Sequence, residues 1–217
     1  GPIAGLGKAS RNGMQMRFDE LNEKGGVHGR KIKLVVEDHG YDPKRAVLAA
    51  RKLLDDSREA LAFALGCLPQ MIVFTSSGTE ANNMALRGVE AERILVSAVE
   101  HPSVRAAARA SGKPVDLIPV DGQGRVELGA LERMLNGPNL LVSVMLANNE
   151  TGVIQPLADV VAVARRHGAL VHVDAVQGFG KVPVNFSLLG CDLLTVAAHK
   201  VGGPVGVGAL VIRDGLA

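Results

Sequence analysis

The chain has 217 residues, of which 47% are hydrophobic and only 3% aromatic, and its formal net charge is +2. This length suits one large or two small domains with an apolar core. The small net charge, a single Tyr and the absence of Trp argue against a nucleic-acid partner.

Cysteine content and hydropathy predict the compartment. The two cysteines, Cys67 and Cys191, are too few for a disulfide framework. Each precedes a predicted strand, where a buried thiol packs as a small hydrophobic group. No signal peptide is recognisable at the start, and no apolar run is long enough to span a bilayer. We therefore expect a soluble cytoplasmic protein with no membrane partner, and we assign no metal ligands.

The first third of the chain predicts a helix, a strand and a second helix. The segment RNGMQMRFDELNEKGG has apolar residues on one helical face and a Gly-Gly pair at its end. The segment KIKLVVED predicts a strand over residues 32–38. Asp42 and Pro43 then provide an N-cap and a first-turn proline for a helix that is expected to run unbroken over residues 43–65.

Strands and helices alternate after Gly66. Apolar runs predict strands at residues 71–75, 94–99, 115–120, 140–146, 170–175, 193–198 and 208–213. Helices are predicted at residues 79–88, 102–111, 127–136 and 156–168. Strands separated by helices indicate an α/β fold with three layers, in which a mostly parallel sheet is covered on both faces.

Polar residues follow several of these strands. Ser77-Gly78-Thr79 lies between a strand and a helix, where backbone N–H groups bind phosphate, although many such turns only cap the helix. Asp174 and Lys200 follow two later strands, near the edge at which α/β sheets bind ligands. Pyridoxal phosphate (PLP) requires a lysine that forms a Schiff base and a carboxylate that keeps the ring nitrogen protonated.

Residues 57–217 resemble the large domain of the cysteine desulfurases, which are fold-type I PLP enzymes. The segments that carry the resemblance are FTSSGTEANN, SAVEHPSV, LANNETG, LVHVDAVQGFG and LLTVAAHKVGG. The resemblance implies a role for each of eight residues: Gly78 and Thr79 bind the phosphate, His101 stacks on the ring, Asn149 and Gln177 approach the ring hydroxyl, Asp174 pairs with the ring nitrogen, and Lys200, with His199 beside it, forms the Schiff base. Taken alone, His101 could instead be a helix cap, NNETG a polar turn and Lys200 a solvated side chain. The resemblance also implies that the strand at residues 208–213 is antiparallel.

The sequence departs from this family in ways that affect the expected chemistry. The family usually has serine at position 197 and a basic residue at position 205, whereas this chain has Ala197 and Val205. Loss of the serine hydroxyl is expected to weaken phosphate binding by roughly 1 kcal/mol. The family's catalytic cysteine and substrate-binding arginine lie in a C-terminal domain, and neither cysteine of this chain matches the catalytic motif. We therefore expect Lys200 to be vestigial and the chain not to be an active enzyme.

Residues 1–54 resemble a different family, the type I periplasmic amino-acid-binding proteins of the Leu/Ile/Val class. The glycine-rich start, NEKGGVHGRKI, LVVED and the DPKRAV helix start carry this resemblance. It covers about a quarter of the chain, and the family's ligand lies in a cleft between two lobes that this segment cannot form by itself. The change of resemblance falls inside the predicted helix at residues 43–65.

Three functions are compatible with this pattern. The one we favour is an engineered chimera, a single α/β domain built from residues 1–54 and 55–217, with no complete active site and with PLP retained at Lys200. The alternatives are a PLP-dependent fragment, similar to cysteine desulfurases and aminotransferases, with residual activity, and an amino-acid-binding module. We place the strand at residues 32–38 beside the strand at residues 71–75 at the sheet edge, where an unpaired edge could join two copies into a homodimer.

Overall fold

A computed structural model describes residues 2–26, 31–37 and 42–216 of the chain. These residues divide into two compact units, Gly1–Glu59 and Ala60–Ala217. The single domain expected from the sequence stays a prediction. In the described part of the chain, no helix combines the length and the hydropathy needed to cross a membrane.

The first unit begins with helix α1, Pro2–Glu23. The glycine-rich start of the chain is therefore helical and is not the loop that the resemblance implies; a proline in the first turn is compatible with a helix because its missing N–H has no intrahelical acceptor there. Gly25 and Gly26 follow with φ angles of 97° and 76°, in the left-handed region that glycine adopts readily. The predicted stop at the Gly-Gly pair is confirmed.

The prediction of a strand over residues 32–38 is wrong for residues 32–37, which form no regular secondary structure. Residue 38 lies outside the described residues. The side chain of Asn22 takes the place of a partner strand. Its Nδ2 donates to the Ile32 carbonyl at 2.7 Å, and its Oδ1 accepts from the Ile32 N–H at 2.6 Å. These bonds occupy both backbone groups of Ile32, and Val35 and Val36 are about half exposed rather than packed in a sheet.

Helix α2 spans Pro43–Leu65, so the unbroken helix predicted across the change of resemblance is confirmed. Asp42 caps it, since its Oδ1 accepts from the N–H groups of Lys44 at 2.7 Å and Arg45 at 3.2 Å. Its last turns belong to the second unit, where Ala62 and Leu65 are buried in the core.

The second unit contains one seven-stranded sheet and five further helices. The strands are β1 Ile72–Thr75, β2 Arg93–Ser97, β3 Val115–Ile118, β4 Leu140–Met145, β5 Leu170–Asp174, β6 Leu193–Ala197 and β7 Gly208–Ile212. The helices are α3 Gly78–Gly88, α4 Pro102–Ala110, α5 Leu128–Met134, α6 Leu157–Arg166 and α7 Phe186–Leu189. Every strand predicted between residues 71 and 213 is present. The first and last residues of each strand lie within two positions of the predicted ones.

The sheet has the strand order β1-β7-β6-β5-β4-β2-β3. Strands β6, β5, β4, β2 and β3 are parallel, whereas β7 is antiparallel to both β1 and β6. Successive residues of the central strands alternate between two buried clusters, one formed with α3 and α4 and the other with α5 and α6. The three-layer α/β fold and the antiparallel strand are therefore confirmed, and the parallel strands bring their carboxyl ends to one edge.

Candidate functional site

A cavity of about 320 Å³ lies at the carboxyl ends of the central parallel strands. The eight residues selected from the sequence all line it: Gly78, Thr79, His101, Asn149, Asp174, Gln177, His199 and Lys200. Six further residues complete the lining: Ser77, Asn82, Ser103, Met145, Ala147 and Val176. The fold thus brings together side chains that are up to about 120 positions apart in the sequence.

The turn before α3 forms one side of the cavity. Ser77 is the N-cap, and its Oγ accepts from the Glu80 N–H at 3.1 Å. The geometry of a helix leaves the N–H groups of Gly78 and Thr79 without intrahelical acceptors, so they remain available to an anion. Backbone packs closely behind this turn, because a Cβ built on Gly208 of β7 would lie 2.6 Å from the Ser77 carbonyl carbon.

Asp174 ends β5 and is 5% exposed. Its Oδ2 accepts from Asn82 Nδ2 at 2.9 Å and its Oδ1 accepts from the Val176 N–H at 3.0 Å. Burial raises the pKa of Asp174, while these two hydrogen bonds act in the opposite direction. No described cation forms an ion pair with Asp174. The carboxylate therefore lacks a positively charged neighbour at bonding distance within the described chain.

A chain of hydrogen bonds connects Asp174 to His101. Asn82 Nδ2 also donates to Ser103 Oγ at 3.0 Å, and Ser103 Oγ lies 2.7 Å from His101 Nδ1. The Ser103 N–H donates to the same Nδ1 at 3.1 Å, which makes this ring nitrogen an acceptor and places the proton of a neutral ring on Nε2. His101 is thus both the N-cap of α4 and a lining residue of the cavity, so the helix-cap interpretation is confirmed and the stacking role stays a prediction.

The polar turn after β4 contains two asparagines, Asn148 and Asn149, which have different roles. Asn148 organises the turn: its Oδ1 accepts from the N–H groups of Glu150 and Thr151, each at 2.9 Å, and its Nδ2 donates to the Val99 carbonyl at 3.0 Å. Asn149 lines the cavity instead. The sequence segment NNETG is therefore both an ordinary turn and a contributor to the cavity.

Two further polar residues of the lining, Gln177 and Lys200, differ in their bonding. Gln177 Oε1 accepts from Lys181 Nζ at 2.8 Å, which leaves the Gln177 amide N–H groups as donors. Lys200 lies in a short 3-10 turn at Ala198–Val201, directly after β6. Its Nζ forms no hydrogen bond or ion pair with any described residue. A half-buried lysine without a bonding partner in the described chain, lining the same cavity as a buried carboxylate, is a candidate to attack a carbonyl group.

Sequence reasoning missed three polar residues around the site: Asn82, Glu100 and Ser103. All three lie inside segments that the resemblance highlights, TEANN and EHPSV. Their burial is what makes them unusual: Asn82 is 1% exposed and Glu100 is 4% exposed. The amino-acid sequence alone does not distinguish them from polar surface residues, because their burial depends on where α3 and α4 pack.

Neither cysteine is placed for chemistry in the cavity. Cys191 is buried, and burial, with Asp192 nearby, raises the pKa of its thiol to about 12. Burial also raises the pKa of the Cys67 thiol. Neither residue is among those that line the cavity. At neutral pH both are thiols rather than thiolates, and the thiolate is the reactive form.

Comparison with known proteins agrees with both resemblances. The family model for aminotransferase class-V matches residues 43–217, and the model for periplasmic binding proteins matches residues 1–66. Cysteine desulfurase IscS of Dictyoglomus turgidum is 41% identical over 174 residues, covering 76% of this chain and 44% of that protein. Among solved structures, a NifS-like protein from Rickettsia africae has a TM-score of 0.69 at 38% identity and covers 74% of this chain and 47% of its own. Another NifS-like protein has a TM-score of 0.74 at 38% identity, with 79% and 50% covered.

The chain spans less than half the length of the curated relative named above. The matched region nevertheless contains the whole sheet and every residue that lines the cavity. Since the family model covers well over half of the chain, and the solved relatives share the arrangement of the sheet, the chain belongs to the aminotransferase class-V family.

Proposed function

We propose that the chain binds PLP in the cavity at the carboxyl end of the sheet and attaches it through Lys200. The observation that carries this proposal is the convergence of the eight predicted residues on one cavity of about 320 Å³. Proteins of the aminotransferase class-V family use PLP.

The charges of the site fit this cofactor. Asp174 is a buried carboxylate that accepts two hydrogen bonds from neutral donors but has no cationic partner in the described chain, and a buried charge is costly unless an opposite charge pairs with it. A protonated ring nitrogen would supply that charge. At the other end, the free N–H groups of Gly78 and Thr79 suit a phosphate, and the helix dipole of α3 favours its negative charge. The site therefore offers complementary charge to both ends of the molecule.

Each lining residue then has a physical task. Asp174 accepts a hydrogen bond from the ring nitrogen and holds the proton there, while Asn82 and the Val176 N–H fix the direction of its carboxylate. The Gln177 amide donates to the ring oxygen, and His101, fixed by Ser103, covers the ring. When bound, PLP supplies an aldehyde that an amine can attack and a ring that withdraws electrons. Lys200 provides that amine.

The test is a titration of the purified chain with PLP, followed by borohydride reduction and peptide mapping. We expect a new visible absorbance band and a reduced PLP adduct on the peptide that contains Lys200. Lys200→Ala should abolish the adduct, whereas Lys44→Ala, an exposed lysine in the first unit, should not change it. A wild-type chain that gives neither band nor adduct would end the proposal.

We further propose that these 217 residues do not desulfurate cysteine by themselves. Desulfuration needs a thiolate that attacks the substrate sulfur, and both cysteines lie away from the cavity lining with raised pKa values. The PLP-loaded chain, incubated with cysteine, should release no measurable sulfide. Release that depends on Lys200 would refute this point and leave the binding proposal intact.

For the origin of the chain, we propose an engineered fusion of two α/β segments. The two family models overlap only at residues 43–66, which almost coincide with helix α2. A junction inside a helix between families of different function is unusual for a natural gene. Finding a natural gene that encodes both segments in one reading frame would refute the proposal of an engineered fusion.

The match to periplasmic binding proteins supports a second candidate, an amino-acid-binding module. Calorimetric titration with leucine, isoleucine and valine tests it directly. We expect no heat of binding, because in that family the ligand lies between two lobes and residues 1–66 supply only part of one. Saturable binding would favour the second candidate.

A further inference from the structure

A second carboxyl group lies buried beside Asp174. Glu100 sits in the turn between β2 and α4 and is 4% exposed. Its Oε1 accepts from Ser97 Oγ at 2.7 Å and from the Met145 N–H. Met145 is the residue of β4 that pairs in register with Asp174 of β5. The Glu100 carboxyl is therefore held against the strand pair that carries the proposed ring-nitrogen partner.

The other oxygen of Glu100 is the informative one. Its Oε2 is buried and has no hydrogen-bond partner among the described residues. An ionised carboxylate in such a place would leave a charged oxygen without solvent, donor or cation. If the carboxyl group is protonated, the atom at the Oε2 position is part of a neutral O–H group, and no buried charge is left without a partner. The geometry thus favours the neutral acid at Glu100.

The surrounding titratable groups support the same assignment. Burial, and then the like charge of Asp174, raises the pKa of Glu100 to about 8. His172, two residues before Asp174 on β5, is uncharged at neutral pH because burial lowers its pKa to about 3. His101 and Lys200 line the cavity with Asp174, and neither forms an ion pair with Glu100. No described cation therefore neutralises a second buried negative charge.

We propose that Glu100 is a positioning residue which carries a proton at neutral pH and so leaves the single negative charge of the pair on Asp174. Two neighbouring buried carboxyl groups cannot both ionise easily, so one must keep a proton. Each carboxyl group accepts two hydrogen bonds, but those of Asp174 are divided between its two oxygens, whereas both of those to Glu100 go to Oε1 and leave Oε2 with none. This inference rests on the proposed function in one respect: the charge on Asp174 is what the ring nitrogen of PLP requires.

The test is a titration of the PLP-free chain by NMR, with ¹³C at the side-chain carboxyl of glutamate. One glutamate should have an acid dissociation constant at least roughly tenfold smaller than those of the exposed glutamates. The signal of that glutamate should be absent from the spectrum of Glu100→Gln. Asp174→Asn should shift that midpoint to lower pH, because it removes the like charge. Glu90→Gln, at an exposed position, should leave the midpoint unchanged.

Adding PLP should lower the Glu100 midpoint by about one pH unit, because a cationic ring nitrogen at Asp174 offsets the negative charge that Glu100 experiences. A Glu100 signal that titrates with the exposed glutamates in the free wild-type chain would overturn the proposal, as would PLP that binds without shifting the midpoint. A chain that does not bind PLP at all would refute the proposed function, while the titration of the free chain would still decide the protonation of Glu100. If Asp174→Asn fails to fold, the wild-type midpoint alone gives the answer.

Discussion

Replacement of Glu100 with Gln should change how the stability of the chain depends on pH. The folded state binds a proton at Glu100 with a pKa of about 8, whereas the ordinary value is 4.5. Between these values the folded chain holds more protons than the unfolded chain, so the free energy of unfolding falls as pH rises. The contribution of Glu100 is complete below about pH 4.5 and is lost as pH rises through about 8.

The size of the effect follows from the width of this pH window. Each pH unit within it is worth at most about 1.4 kcal/mol. His172 acts in the opposite direction between its folded pKa of about 3 and its ordinary value of 6.5, because the unfolded chain binds the proton there. The Glu100 contribution is therefore clearest between about pH 6.5 and 8, where it amounts to about 2 kcal/mol.

Urea unfolding of wild type and Glu100→Gln at several pH values measures this slope. Relative to wild type, the variant should become more stable by about 2 kcal/mol as pH rises across that interval. Any cost of placing an amide N–H where Oε2 lies is the same at every pH and leaves this slope unchanged. Glu90→Gln should follow wild type at every pH. A difference between wild type and Glu100→Gln that stays constant with pH would refute the reasoning.

Three further outcomes are expected. Ala197→Ser should tighten PLP binding roughly fivefold in a fluorescence titration, since a Cβ built on Gly78 would lie 3.5 Å from the Ala197 methyl; unchanged or weaker affinity would contradict a phosphate at this turn. Cys191 should resist iodoacetamide in the folded chain and react on unfolding, as followed by mass spectrometry, because its pKa is about 12; rapid modification of the folded chain at neutral pH would contradict its burial. Light scattering at micromolar concentrations should detect a dimer in which two copies pair along the edge strand β1, which among the described strands pairs only with β7; a monomer throughout that range would refute the dimer.

The sequence predicts the sheet well because the signal for its strands is local. Continuous apolar runs such as residues 140–146 have no exposed face, and burial on both sides follows directly. The strand predicted at residues 32–38 failed for a non-local reason. Its apolar residues resemble those of the other strands, but the N–H and carbonyl groups of Ile32 bond to the side chain of Asn22 on α1. A side chain that takes the place of a partner strand in this way cannot be detected from the sequence of the segment itself.

The candidate site shows the same division. Residues at strand ends, such as Asp174 and Lys200, are predictable because parallel strands bring their carboxyl ends to one edge. Glu100 and Asn82 are not, since their importance comes from burial beneath that edge and from atoms left without partners. The role of Asn148 likewise follows only from the structure, in which its side chain bonds to the N–H groups of Glu150 and Thr151 within the turn and to the Val99 carbonyl outside it.

The close approach of Gly208 to the Ser77 carbonyl carbon has a consequence for mutagenesis of this protein. The antiparallel strand β7 supports the turn before α3 with main chain, so there is no side chain there to trim or replace. Even a methyl group at position 208 would push on the turn from behind and displace the N–H groups of Gly78 and Thr79. An alanine scan restricted to cavity-lining residues would overlook this position, although it sets the shape of the anion-binding end.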